Sequence, residues 1–225
     1  MDAIKKVLVI TPHPDDETLG CGGTLLKHKA RGDEIHWLIT TSIREENGFE
    51  RSVVEVRKNE IKAVSAMYRF DGVYPLDFPT MQLDKIPISA LIESIYNVVK
   101  KIEPNIVYLP FKDDIHTDHQ LVFKAAYACT KSFRSPSIEK IAMMEIISET
   151  EFAPAMQTGN FIPNMFVDIT DFIEHKIEIM KVYKGEMGMH PFPRSERNIS
   201  ALATFRGATA GCEYAEGFVI LKEIN

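Results

Sequence analysis

The strongest constraint on the fold is a change of hydrophobic period that recurs along the first half of the chain. Residues 5–11, KKVLVIT, are a short β-branched run ending at a polar turn, and residues 34–41, EIHWLITT, are a second. Residues 17–31 between them fit one helix, so the chain opens as a βαβ unit. Val53, Val54, Ile61, Val64 and Met67 then recur at helical spacing, as do Ile88, Leu91, Ile92, Ile95, Val98, Val99 and Ile102. GVYPLDF and NIVYLPF follow these two segments as short apolar runs bounded by turn residues, the pattern of buried parallel strands. Over 117–133, Leu121, Val122, Ala125 and Cys129 mark another helix, and TDHQ at its head reads as a capping box from Thr117 to Gln120. Weaker signals in the last third give strands near 138–148, 166–169 and 217–221 and a helix near 171–184. The expectation is an α/β fold: one Rossmann-like domain over 1–225, with a mostly parallel sheet flanked by helices on both faces.

In such sheets ligands sit beyond the carboxyl ends of the strands. TPHPDDE follows the first strand and KDDIHTDH follows the NIVYLPF strand, so two segments about a hundred residues apart in sequence are expected to meet at one sheet edge. His13 and Asp16 supply an imidazole and a carboxylate, and His119 supplies a second imidazole. Three N/O ligands with an open position describe a catalytic zinc site, where bound water has a pKa of about 7. Asp15 is then spare, as a general base requires. His116 is expected to face the substrate, oriented or supported by Asp118. Each string alone also has a plainer reading, HPDD as a helix cap and HTDH as a solvated turn. The glycines of GCGG lie behind Asp15, Asp16 and Glu17, which would repel a pyrophosphate. Gly20, Gly22 and Gly23 are therefore read as helix packing rather than a dinucleotide loop.

The net charge of −6 and the absence of clustered Lys and Arg exclude a nucleic-acid partner from expectation and favour a small substrate. The N-terminal apolar run is too short for a signal peptide, and no stretch approaches the roughly 18 apolar residues of a membrane span, so a cytoplasmic protein is expected. Cys21, Cys129 and Cys212 form neither a disulfide framework nor a CxxC pattern and read as small buried side chains. His28, His36 and His175, lacking acidic partners at ligand spacing, read as structural, and Met143 and Met144 as core.

HPDDETLGCGGTL with a downstream HTDH closely resembles the PIG-L / LmbE-like family of zinc-dependent N-acetyl sugar deacetylases. RKNEIKAVSAM (from Arg57) and ISALATFRGATAGCEYAEGF (199–218) extend the resemblance over most of the chain. It implies His13, Asp16 and His119 as ligands of one zinc ion per chain, with other divalent transition metals also acceptable to such ligands. It further implies Asp15 as base, and His116 supported by Asp118 as electrophile or acid. Thr117 stands where the family often has proline. Arg57 is a candidate for gripping substrate hydroxyls, and His190 and Arg194, in MHPFPRS, are candidates for the sugar pocket, with an exposed polar loop as the alternative. The implied reaction is hydrolysis of the acetamide of an N-acetylated amino sugar by a protein that can be a homo-oligomer. Competing readings are a metal-dependent hydrolase of another amide or ester, and a non-catalytic zinc-sugar binding module.

Overall fold

The computed structural model describes residues 3–154 and 159–224. β1 (Lys6–Thr11), α1 (Asp16–Ala30) and β2 (Glu34–Ser42) make the opening unit. α2 (Arg51–Tyr68) leads to β3 (Gly72–Pro79), α3 (Ile88–Ile102) to β4 (Ile106–Leu109), and α4 (Thr117–Ala128) to β5 (Lys140–Met144). β6 (Met165–Asp168), α5 (Ile173–Met180), α6 (Glu196–Ala210) and β7 (Ala215–Glu223) complete the chain. The seven strands of the described residues lie in one sheet, in the order β3-β2-β1-β4-β5-β7-β6. β3, β2, β1, β4 and β5 are parallel, and β7 pairs antiparallel with both β5 and β6.

The period-2 pattern of β1 shows why the sheet needs cover on both faces. Val7 and Val9 enter one core, with α1, α5, α6 and the buried face of α2. Leu8 and Ile10 enter the other, with α3 and α4. Chain direction across the sheet reverses between β1 and β4: β2 and β3 extend to one side of β1, and β4 and β5 to the other. Loops leaving two such neighbouring strands diverge and leave a crevice.

α1 is broken at Cys21 (φ −148°, ψ 24°). The backbone groups freed there are taken up by a buried ion pair: Glu216 accepts from the Gly23 and Thr24 N–H groups at 2.9 and 2.8 Å, and Lys176 Nζ donates to the Leu19 carbonyl at 2.9 Å and to Glu216 at 2.7 Å. The glycines around the break do pack closely. A Cβ on Gly20 would lie 2.9 Å from Met144 Cβ, and one on Gly23 2.7 Å from Ile169 Cβ.

The sequence-based expectations need correction in places. The 138–148 strand is confined to Lys140–Met144, and α4 stops at Ala128 because Cys129 already caps it. α6 was not expected: its buried positions Ile199, Ala203 and Gly207 are mostly small, although Ser195 and Gly211 cap its ends. No Thr117–Gln120 capping box forms. His116 is the cap, its Nδ1 accepting from the Asp118 N–H at 3.1 Å, while Gln120 Nε2 turns to the Asp114 carbonyl. His28 does have an acidic partner, since its ring joins Asp33 (2.7 Å) to Tyr108 (3.1 Å) away from the cleft. Cys21 and Cys129 are buried and Cys212 partly so.

Candidate active site

The HPDD loop leaves β1 and the 110–116 loop leaves β4, so the reversal point of the sheet brings both histidine motifs together. Thr41, at the end of β2, pins the first loop through its N–H and Oγ1 to the Pro12 carbonyl at 3.0 and 2.8 Å. Arg57 reaches from α2 to the Pro14 carbonyl at 3.2 Å. Asp15 then adopts a left-handed backbone (φ 119°), a conformation that Asp tolerates better than most residues. Glu17 Oε2 holds it there by accepting the Asp15 N–H at 3.0 Å, while Glu17 Oε1 is held by Thr18 and Tyr183 hydroxyls.

Three imidazoles meet above this loop, with centroids of His13 and His116 4.6 Å apart and His119 5.4 Å from each. Asp16 Oδ2 lies 3.5 Å from both His13 Nδ1 and His119 Nε2. Ligand atoms of His13, Asp16 and His119 all fall within 4.8 Å of one another. The far nitrogens of both rings are occupied by carboxylates, His119 Nδ1 by Asp114 at 2.9 Å and His13 Nε2 by Asp118 at 3.3 Å. With the far nitrogens so occupied, His119 Nε2 and, once that ring gives up its proton, His13 Nδ1 are the lone pairs left for an ion. His119 Nε2 is fully buried with no hydrogen-bond partner, which would be costly unless something else occupies it. The donor set and this orphaned atom both fit a divalent transition metal. His13, His116 and Asp118 form a second overlapping group, but its His116 Nδ1 and Asp118 oxygens are already committed.

Asp118 departs from its expected task. Its carboxylate serves His13 and the Met81 and Leu83 N–H groups (2.7 and 3.3 Å), and it is its backbone N–H that orients His116. With Nδ1 accepting, neutral His116 carries its proton on Nε2. Burial, with the neighbouring His13 and His119, pushes its pKa down to about 4, so it faces the cleft as a neutral donor.

The field divides the two aspartates. Burial would raise the Asp16 pKa, but His119 and the hydrogen-bonded His13 bring it down to about 2. Burial, Asp16 and Glu186 instead push Asp15 well above the usual carboxylate range, against the opposing charge of Arg194. His13 is pushed up to about 10: burial works against its charge, and hydrogen bonds to Asp118 and Asp16 outweigh it.

His13, Asp15, Asp16 and His116 line a cleft of about 840 Å³. Arg57 and Arg194 line it, but both are bound to Glu186. His190 is exposed and does not line the cleft, so its proposed place in the pocket is not upheld; the exposed-loop alternative describes it. Asp114 and Glu186 were not among the candidate residues, and Glu17 stood out only as a charge ahead of the glycine run. Asp114, five residues before His119 in KDDIHTDH, had the clearest signal, as metal-facing histidines usually carry an acceptor behind them.

A cluster of this kind at the reversal point of a doubly wound sheet is a candidate catalytic metal centre. The PIG-L family profile, described as GlcNAc-PI de-N-acetylase, matches residues 8–130, and the chain belongs to that family. It is similar to a diacetylchitobiose deacetylase of Thermococcus kodakarensis, 27% identical over 95% of this chain and 82% of the relative. A probable N-acetyl-α-D-glucosaminyl L-malate deacetylase of Bacillus cereus is 21% identical over 81% of this chain and 84% of that one. The fold matches that of N,N′-diacetylchitobiose deacetylase from Pyrococcus horikoshii, solved with its inhibitor MPG, at a TM-score of 0.77 and 24% identity, covering 97% and 84% of the two chains.

Proposed function

We propose that this protein hydrolyses the acetamide of an N-acetylated amino sugar to acetate and the free amine, using one zinc ion held by His13, Asp16 and His119. The observation that carries the reading is the division of labour at the cluster. Two carboxylate-backed imidazoles and Asp16 converge on one point, at the buried and unpartnered Nε2 of His119, and leave Asp15 and His116 free. The named activities of the Thermococcus and Bacillus relatives support the choice of bond and substrate class.

A divalent ion at that position supplies Lewis acidity: it lowers the pKa of water, polarises the acetamide carbonyl and keeps the neighbouring Asp15 ionised. Asp15 takes the proton of the attacking water as its oxygen bonds to the acetyl carbon. His116 Nε2–H donates to the oxyanion that develops on the carbonyl oxygen, a preorganised contact that strengthens as charge builds. Asp15 then returns its proton to the amine nitrogen as the C–N bond breaks, which balances the reaction without a third acid. Arg57 acts here as a strut to the Pro14 carbonyl, and Arg194 braces Glu186.

Among the described residues no helix is long and apolar enough to cross a membrane. The test is an acetate-release screen over N-acetylated mono- and disaccharides and nucleotide sugars, with metal analysis of the same sample. Release accompanied by about one bound ion per chain is expected. A metal-loaded protein that releases no acetate from any of them refutes the reading and leaves the binding-module alternative.

A further inference from the structure

Three charged side chains on the cleft wall are tied to one another. Glu186 accepts from Arg57 Nη2 and, at 2.9 Å, from Arg194 Nη2, and its backbone carbonyl takes Arg194 Nε at 2.7 Å. The other guanidinium contacts are also committed: Arg57 Nη1 to the Pro14 carbonyl, Arg57 Nε beside Glu60 at 3.4 Å, and Arg194 Nη1 to Ser148 Oγ at 2.9 Å. A pair of guanidiniums facing a cleft is a ready seat for a substrate carboxylate or phosphate. Here the protein's own carboxylate fills that seat, its side chain 24% exposed and lining the cleft.

The rest of the wall offers little else to an anion. Arg44 donates to Ser42 Oγ at 3.2 Å and to the Asp77 carbonyl, and Lys58 pairs with Glu55 at 2.9 Å. Seven carboxylates against four Lys and Arg side chains line the cleft. An anionic substituent entering this space must either evict Glu186 from both arginines or lie against uncompensated carboxylates.

We infer that Glu186 sets the charge class of the substrate: the cleft accepts N-acetylated amino sugars whose other substituents are uncharged and discriminates against those carrying a carboxylate or phosphate. This rests on the deacetylation proposed above and narrows it. Glu186 is a specificity residue here, acting through the two arginines it occupies.

The test uses a matched pair of probes on the metal-loaded protein, methyl and carboxymethyl N-acetylglucosaminide. kcat/KM is expected to favour the methyl glycoside by about tenfold to a hundredfold, the scale of one charge-assisted hydrogen bond. Added salt should narrow that gap by screening the repulsion. Glu186→Gln frees the arginines of their counter-charge and should move the ratio at least about tenfold toward the carboxymethyl glycoside. Because the ratio is taken within one preparation, it does not depend on how much of a variant is folded, and the salt series needs no variant. Equal kcat/KM for the two glycosides in the parent protein, a gap that salt does not narrow, or an unmoved ratio in Glu186→Gln overturns the inference. If neither glycoside releases acetate, the deacetylase reading fails separately. Calorimetric binding of the same pair then decides the charge preference, tighter binding of the methyl glycoside supporting it and equal or reversed affinities overturning it.

Discussion

Asp114 provides a sharp test of how the metal position is built, because its two oxygens do separate work. One accepts from His119 Nδ1 at 2.9 Å and the other from Thr150 Oγ1 at 2.7 Å, and Asp114 and His119 are both fully buried. Asp114→Ala leaves the ring N–H and the Thr150 O–H without acceptors, although the Thr150 oxygen keeps the Ile146 N–H, at about 1–3 kcal/mol each, so the metal-free protein should lose about 2–6 kcal/mol. Asp114→Asn has nearly the same shape. Its carbonyl oxygen can take the ring N–H and its amide can donate to the rotated Thr150 hydroxyl, which limits the stability cost to about 1 kcal/mol. What it removes is the negative charge behind His119, and loss of such a partner typically weakens metal binding about tenfold to a hundredfold, or about 1.4–2.7 kcal/mol. Urea unfolding of the metal-free variants and chelator competition for zinc read the two effects independently. An Asn variant that binds zinc as tightly as the parent, or unfolds as readily as the Ala variant, would refute the reasoning.

His13, held protonated up to about 10 by Asp118 and Asp16 against the effect of burial, must release that proton to ligate. Apparent zinc affinity should therefore climb at least about tenfold per pH unit below 10, with at least one proton released in calorimetry; a flat profile contradicts His13 as a ligand. The same shift has a sign for folding. His13 contributes stability to the metal-free protein below its ordinary pKa of 6.5 that is lost as pH rises through about 10, so urea midpoints should fall across that window. Gly23→Ala sets a Cβ 2.7 Å from Ile169 Cβ and should cost about 1–3 kcal/mol in the same assay. Lys176→Met leaves Glu216 buried without its counter-charge at the break in α1, and a loss of about 3–5 kcal/mol is expected; an unchanged midpoint would show that the pair does not hold the break.

The parallel half of the fold was legible because buried parallel strands and amphipathic helices differ in period, and β1, β2 and β4 with α1 to α4 follow that pattern; β3 is parallel as expected but lies at the sheet edge with no fully buried residue, and β5 was a weak signal drawn too long. The C-terminal third was harder to read. α6 buries Ala203 and Gly207 rather than large apolar side chains, and β6 and β7 pair antiparallel at the sheet edge, where the strand pattern alone does not give direction. The convergence of His13, Asp16 and His119 followed from placing two motifs at neighbouring strand ends. Which carboxylate stands behind which imidazole did not, since Asp118 lies one residue from His119 and two from His116 yet serves His13, across the gap between β1 and β4. Arg57 and Arg194 were legible as cleft residues. That Glu186 occupies both depends on long-range packing, with Arg57 lying 129 residues away in sequence.

The proposed reaction has Asp15 acting on water while Asp16 holds the ion, and Asp15→Asn separates the two. Asparagine tolerates the left-handed backbone at this position (φ 119°), and the three ligands are untouched. Acetate release from an N-acetylated amino sugar should fall about a hundredfold to ten-thousandfold, the usual contribution of a positioned general base, with about one zinc ion per chain retained. Undiminished acetate release by a zinc-loaded Asp15→Asn protein would contradict the assignment of the base, and loss of the ion in that variant would contradict the division of labour between the two aspartates.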